Sequence, residues 1–112
     1  MNPQSDFADE AQFRKGAEAQ LLNLLQQLDE VEFGDFDPRY TPGSLVVQFE
    51  DSSILMLSMQ TPTHELWLSA NYTAWHFVCT QGVWKERDTQ EDMLGILSTL
   101  FTEKLEDSIV LV

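Results

Sequence analysis

The sequence predicts an α+β fold: a two-layer sandwich with an N-terminal and a C-terminal helix packed on one face of an antiparallel sheet of five to six strands. Three observations predict it. Apolar residues recur every three or four positions over 6–28, the period drops to two between Asp35 and Lys85, and the helical period returns after Asp88. Strands joined by short turns are antiparallel, and helices at the two chain ends can lie together on one face of their sheet.

The first helix is read from Phe13, Ala17, Leu21, Leu24, Leu25 and Leu28, which form one apolar stripe. Asn2 and Ser5 are its candidate caps, with Pro3 near a permissible first-turn position. Gly34, Asp37-Pro38 and Thr41-Pro42-Gly43 then punctuate the chain. Leu45, Val47 and Phe49 alternate with Val46, Gln48 and Glu50. Asp51-Ser52-Ser53 is a short turn into Leu55, Leu57 and Met59, which alternate with Ile54, Met56 and Ser58, so a hairpin is expected. Pro62 ends that run. Leu66 and Leu68 alternate with Glu65, Trp67 and Ser69; Trp75 and Phe77 alternate with His76 and Val78. Gln81-Gly82 turns into a brief strand at Val83-Trp84-Lys85. Asp88 or Thr89 is expected to cap the second helix, with Glu91 and Asp92 in its first turn, where the helix dipole favours acids. Its buried stripe is Met93, Leu94, Leu97, Leu100, Phe101 and Leu105, and the apolar tail Ser108–Val112 is expected to lie against the domain.

A length of 112 residues fits a single domain spanning 1–112, and a hydrophobic fraction of 43% supplies a core. No apolar run approaches the ~20 residues that span a bilayer. The polar start MNPQSDFADE has neither a secretory nor a transit character, and Cys79 has no cysteine to pair with. The expectation is a soluble protein of a reducing compartment, most simply a bacterial cytoplasm. Nineteen acids against six bases give a net charge of −13. A field of that sign repels nucleic acid and anionic membranes and attracts cations and basic protein surfaces. Plain solubility is the other reading of the same charge.

Gln60-Thr61-Pro62-Thr63-His64-Glu65-Leu66-Trp67-Leu68-Ser69 resembles the most characteristic segment of the frataxin family: Gln, any residue, Pro, then an apolar residue, Trp, Leu and a small residue. Asp35-Phe36-Asp37 followed by Gly43 and Leu45 is similar to that family's first hairpin. Trp75-His76-Phe77 matches the aromatic–His–Phe strand of its bacterial branch, and Trp84 the Trp of the next strand. The resemblance covers roughly residues 13–112. It departs at Gln26 and Gln27, where the family has acids, at Ser58 and Met59, where it has Asn and a base, and at Asn71-Tyr72-Thr73, where it has a Gly-rich turn.

Asp29, Glu30, Glu32, Asp35 and Asp37 fall within nine residues that hold no base. Alternation puts Asp35 and Asp37 on one side of their strand. Carboxylates are hard ligands that suit Fe(II), Fe(III), Mn(II) or Ca(II), and the composition does not choose among these. Open surface carboxylates bind weakly and labilely; alternatively the run is a solvated charged edge that blunts strand aggregation. The resemblance implies iron (Fe2+/Fe3+), weakly and labilely bound along this ridge, with Gln26 and Gln27 implying fewer or weaker sites. It also implies docking of the ridge on the basic surface of a cysteine desulfurase. On the sheet, Ile54, Met56, Ser58, Glu65, Trp67 and His76 are expected to face water. Trp67 beside Ile and Met makes an apolar patch of the kind that marks interfaces. The resemblance implies that Trp67, Gln60, Ser58, Met56, Glu65 and His76 meet the desulfurase and the iron–sulfur scaffold protein. The bland alternative lays Trp67 flat under a loop or tail.

His64 and His76 lack a metal-ligand spacing and read as surface or satisfied strand histidines, and Cys79 reads as strand packing. No nucleophile–base constellation, P-loop or dinucleotide fingerprint is present. The resemblance therefore implies a non-enzymatic, iron-binding regulator of iron–sulfur cluster assembly, a monomer with iron-driven oligomers left open. An acidic interaction module without a metal role, acting as chaperone or inhibitor, is the main rival, and an Fe(II)-oxidising activity on the ridge a weaker one.

Overall fold

A computed structural model describes residues 5–32 and 34–112. In it α1 (Glu10–Asp29) is followed by six strands and α2 (Met93–Leu105). The strands are β1 (Phe36–Thr41), β2 (Ser44–Phe49), β3 (Ile54–Gln60), β4 (Glu65–Ala70), β5 (Thr73–Thr80) and β6 (Val83–Glu86). They form one antiparallel meander in the order β1-β2-β3-β4-β5-β6. Leu45, Val47, Leu55, Leu57, Leu66, Leu68 and Phe77 are buried on one sheet face, against Phe13, Leu21, Leu24, Leu97 and Phe101 of the helices. Period-two burial meets period-3.6 burial there, so the expected two-layer sandwich is the fold found.

Three expectations need correcting. The first helix does not begin at residue 6. Asp9 caps it, its Oδ1 accepting the Gln12 N–H at 2.9 Å. Asp6 is engaged elsewhere: its carboxylate accepts the N–H groups of Gln81 and Gly82 at 2.7 and 2.8 Å, and its own N–H donates to the Cys79 carbonyl at 2.9 Å. An N-terminal arm therefore ties the chain to the β5–β6 turn, and Phe7 follows it onto Phe13 and Trp84 with ring centroids 5.9 Å from each. Of the other expected caps, Ser5 Oγ accepts the Phe7 N–H in that arm, while Asn2 and Pro3 lie outside the described residues.

The second helix begins later than expected, with Asp92 as N-cap, so Glu91 and Asp92 precede its first turn. Glu86 Oε1 takes the N–H groups of Asp88 and Thr89 at 2.7 and 3.1 Å, closing a turn that passes through Gln90 at φ +65°. A left-handed residue at Gln90 breaks any run of helical φ/ψ through 88–92, so the helix starts only after it. Asp37-Pro38, expected as punctuation, lies inside β1; this is an edge strand, where a residue without an N–H is tolerated.

The tail docks as expected. Ile109 and Leu111 are buried, and the Val112 N–H and carbonyl pair with Gln27 Oε1 and Nε2 at 2.9 and 2.5 Å. Gln27 thus holds backbone where a carboxylate could accept but not donate. The β4–β5 turn runs through Asn71 and Tyr72 at φ +52° and +61°, a two-residue loop of the twist that hairpins favour.

Candidate functional site: an acidic ridge and an open sheet face

Leu28 anchors the end of α1 in the core, and the chain then tightens as Glu30 and Val31 donate to the Gln27 and Leu28 carbonyls at 3.2 and 3.1 Å. Asp29 and Glu30 stand within that turn, exposed, and no base occupies the last turn of α1. The carbonyl end of a helix carries partial negative charge, so both carboxylates add to a potential that draws cations. Gly34, at φ +83°, carries the chain over Leu105; a Cβ there would sit 2.9 Å from Leu105 Cδ2. Glu32, Asp35 and Asp37 are all exposed, while Phe36, Pro38 and Tyr40 turn half-buried toward the helices. Asp35 and Asp37 therefore do share one side of the chain.

The structure leaves all five acids exposed and does not gather them. Among the described residues no three His, Cys, Asp or Glu side chains converge as a metal cage would require. Asp37 is paired with Arg39 at 2.8 Å. The donor set suits a hard cation by its chemistry, and its geometry suits loose, exchangeable binding rather than a closed site. Sequence reasoning missed the neighbours of Asp35: Glu50, Asp51, Lys104 and Glu106 line the same cleft. Asp51 is committed there. Hydrogen bonds from the Ser53 hydroxyl and then from Lys104, at 2.9 Å, hold its carboxyl well below the usual carboxylate range. Nothing local in the sequence joins the β2–β3 turn to the end of α2.

The second region is the sheet face away from the helices. Register places Ser58, Trp67 and His76 side by side across β3, β4 and β5, with Met56 opposite Ser69 and Gln60 opposite Glu65. Ile54, Met56 and Trp67 are exposed at 55%, 40% and 37%, so Trp67 does not lie under the tail, which docks on the helix side. Ser58, Gln60 and His76 are half-buried, and Gln60 Nε2 donates to Ser58 Oγ at 3.2 Å. The Trp67 and His76 ring centroids are 4.5 Å apart.

Glu65 corrects the expectation that it faces water: it is on this face but only 3% exposed. Its Oε1 accepts the Trp67 indole Nε1–H at 3.0 Å, and Arg87 Nη1 lies 3.3 Å from both carboxylate oxygens. Arg87, Val78, Pro62, Thr63, His64 and Ser5 line the cleft that holds it. A carboxylate can be buried at modest cost only when paired and hydrogen-bonded, and here it is both. Arg87 lies beyond the last strand, twenty-two residues away, so no local pattern identified it as the partner.

His64 stands in the β3–β4 turn at φ +53°, its ring stacked on Phe13 at 5.1 Å. Cys79 is buried and its Sγ contacts Asp6 Oδ2 at 3.6 Å; burial first, then the Asp6 charge, pushes the thiol up to about 11. Such a thiol is a poor nucleophile and metal ligand. No helix among the described residues is long and apolar enough to cross a membrane.

Comparison with known proteins gives the family and agrees with the fold. A frataxin-like domain model matches residues 6–107. The chain is similar to the iron-sulfur cluster assembly protein CyaY of Colwellia psychrerythraea, 25% identical over 103 residues, which are 92% of this chain and 96% of that protein. The CyaY protein of Pseudomonas aeruginosa is 33% identical over 90 residues, 75% of this chain and 83% of that one. Among solved structures, the frataxin of Psychromonas ingrahamii aligns with a TM-score of 0.87 at 19% identity, covering 93% of this chain and 98% of its own, a likeness of fold.

Proposed function

The chain belongs to the frataxin-like family, and from that premise we propose that it is a non-enzymatic assembly factor for iron–sulfur clusters. In this reading it works in a bacterial cytoplasm, holds Fe(II) or Fe(III) loosely on the ridge Asp29, Glu30, Glu32, Asp35 and Asp37, and docks on a cysteine desulfurase with its scaffold protein. The observation that carries it is the ridge: five exposed carboxylates at the carbonyl end of α1 and the start of β1, with no base in the last helical turn. Iron is cargo here, and open carboxylates release what they bind. A basic desulfurase surface would compete for the same oxygens, so iron and partner occupancy become coupled. The face around Trp67, Met56, Ser58, Gln60 and His76 supplies the second contact, with Glu65 buried beneath it rather than touching the partner.

The rival reading, an acidic interaction module without a metal role, is favoured by one observation: no three carboxylates converge among the described residues. Anaerobic calorimetry with Fe(II) separates the two. The proposal expects micromolar binding that disappears in the variant Glu32→Lys, Asp35→Lys, Asp37→Lys. Absence of binding heat in the unaltered protein would establish the rival.

A further inference from the structure

Glu65 is the feature of the open face that the docking reading leaves unexplained. A solvent-facing strand position has no need of a carboxylate that is 3% exposed. The side chain has nonetheless been drawn in between two donors, the Trp67 indole N–H at 3.0 Å and Arg87 Nη1 at 3.3 Å. We infer that Glu65, held by Arg87, is a positioning residue that fixes the Trp67 indole and presents it as an apolar anchor with no hydrogen bond left to offer.

The chemistry follows from the geometry. An indole has one donor and no acceptor, and Glu65 takes that donor. One side of the Trp67 ring lies against His76, with centroids 4.5 Å apart. What remains for a partner is ring surface, continuous with Met56 and Ile54. Such a surface rewards an apolar side chain. A hydrogen-bond acceptor would lose its water there and find no donor. Charge adds little to the choice, because Arg39 is paired with Asp37 and Arg87 with Glu65 and Asp88. The partner segment that fits presents an apolar side chain at its centre, unlike the basic surface suited to the ridge. An anchor whose rotamer is already locked also loses less side-chain entropy on docking.

This inference rests on the docking reading, and the experiment separates their failures. The full chain is labelled with 15N-tryptophan, and the Trp67 indole signal is identified from the Trp67→Phe variant. The test variant is the paired change Glu65→Leu with Arg87→Met, which leaves no unpaired buried charge; Glu65→Gln, which keeps the acceptor, is the conservative control. The expected result is a Trp67 indole proton that exchanges with solvent at least about tenfold faster in the paired variant, unchanged in Glu65→Gln, with the Trp75 and Trp84 signals in place. Binding to the desulfurase–scaffold complex of the source organism should weaken about tenfold in the paired variant and stay within about twofold in Glu65→Gln. Unchanged Trp67 indole exchange in the paired variant overturns the inference. So does unchanged binding in the paired variant while Trp67→Ala weakens it. If Trp67→Ala itself leaves binding intact, the docking reading of this face falls, whatever the indole signal shows.

Discussion

The ridge and the open sheet face put charge and shape at two different sites of one small molecule. On the ridge, five carboxylates stand in water, and among the described residues Asp37 alone of them has a side-chain ion pair, with Arg39. On the sheet face, the central side chain is held on two sides, by Glu65 through its indole N–H and by His76 against its ring. A region of the first kind attracts over distance, tolerates small displacements and is weakened by salt. A region of the second kind acts only at contact, depends on shape, and is nearly indifferent to salt. The acids have little fixed geometry to lose, whereas the indole has one that rests on Glu65 and Arg87.

Reversing the ridge should give the largest effect. Glu32→Lys, Asp35→Lys, Asp37→Lys changes the net charge by six and sets like charge against a basic partner, which costs several kcal/mol. Capture of the desulfurase in a pulldown is expected to fall by more than about a hundredfold at low salt; unchanged capture would break the assignment of the ridge to that partner. Trp67→Ala should come next, costing about 2 kcal/mol of docking, or about thirtyfold in affinity. Its loss should be the same at low and high salt, measured by titration calorimetry. A loss that shrinks with salt would mean that the two regions do not divide the work as described.

The smallest expected effect concerns Glu86, at the end of β6 on the covered side of the sheet, opposite Phe77. Glu86 is pushed up by burial, but backbone N–H bonds from Asp88, His76 and Thr89 outweigh this and hold its carboxyl below the ordinary value of 4.5. A depressed folded value means that these bonds stabilise the protein above that pH. The contribution is lost as pH falls through the lower, folded value. Glu86→Gln should lower stability by about 1 kcal/mol at neutral pH and flatten the acid side of the melting-temperature profile. An acid limb with the same slope in both proteins would remove Glu86 from that role.

Much of this was legible in the chain itself. Alternation from Leu45 to Trp84 placed Leu57, Leu66, Leu68 and Phe77 in the core and left Met56 and Trp67 outside, because a strand has a period of two and one face of this sheet is covered. Asp35 and Asp37 could be assigned to one side by the same rule. The segment from Gln60 to Ser69 carried the family. Two helix starts and Glu65 could not be read in this way. Asp6, Ser5 and Asp9 are all chemically competent at a helix start, and local sequence does not rank them.

Residue order and side-chain type by themselves determined the elements, the layers, the family and the row of acids, since each depends on neighbours one to four positions apart. Only the tertiary structure decided that Asp6 belongs to Gln81 and Gly82, seventy-five and seventy-six residues away, and that Glu65 belongs to Arg87 and Trp67 rather than to water. Those outcomes are competitions for hydrogen bonds among groups that become neighbours only after the sheet has closed. A polar side chain has several acceptable partners along the chain, and packing selects the one that leaves fewest buried groups unpaired.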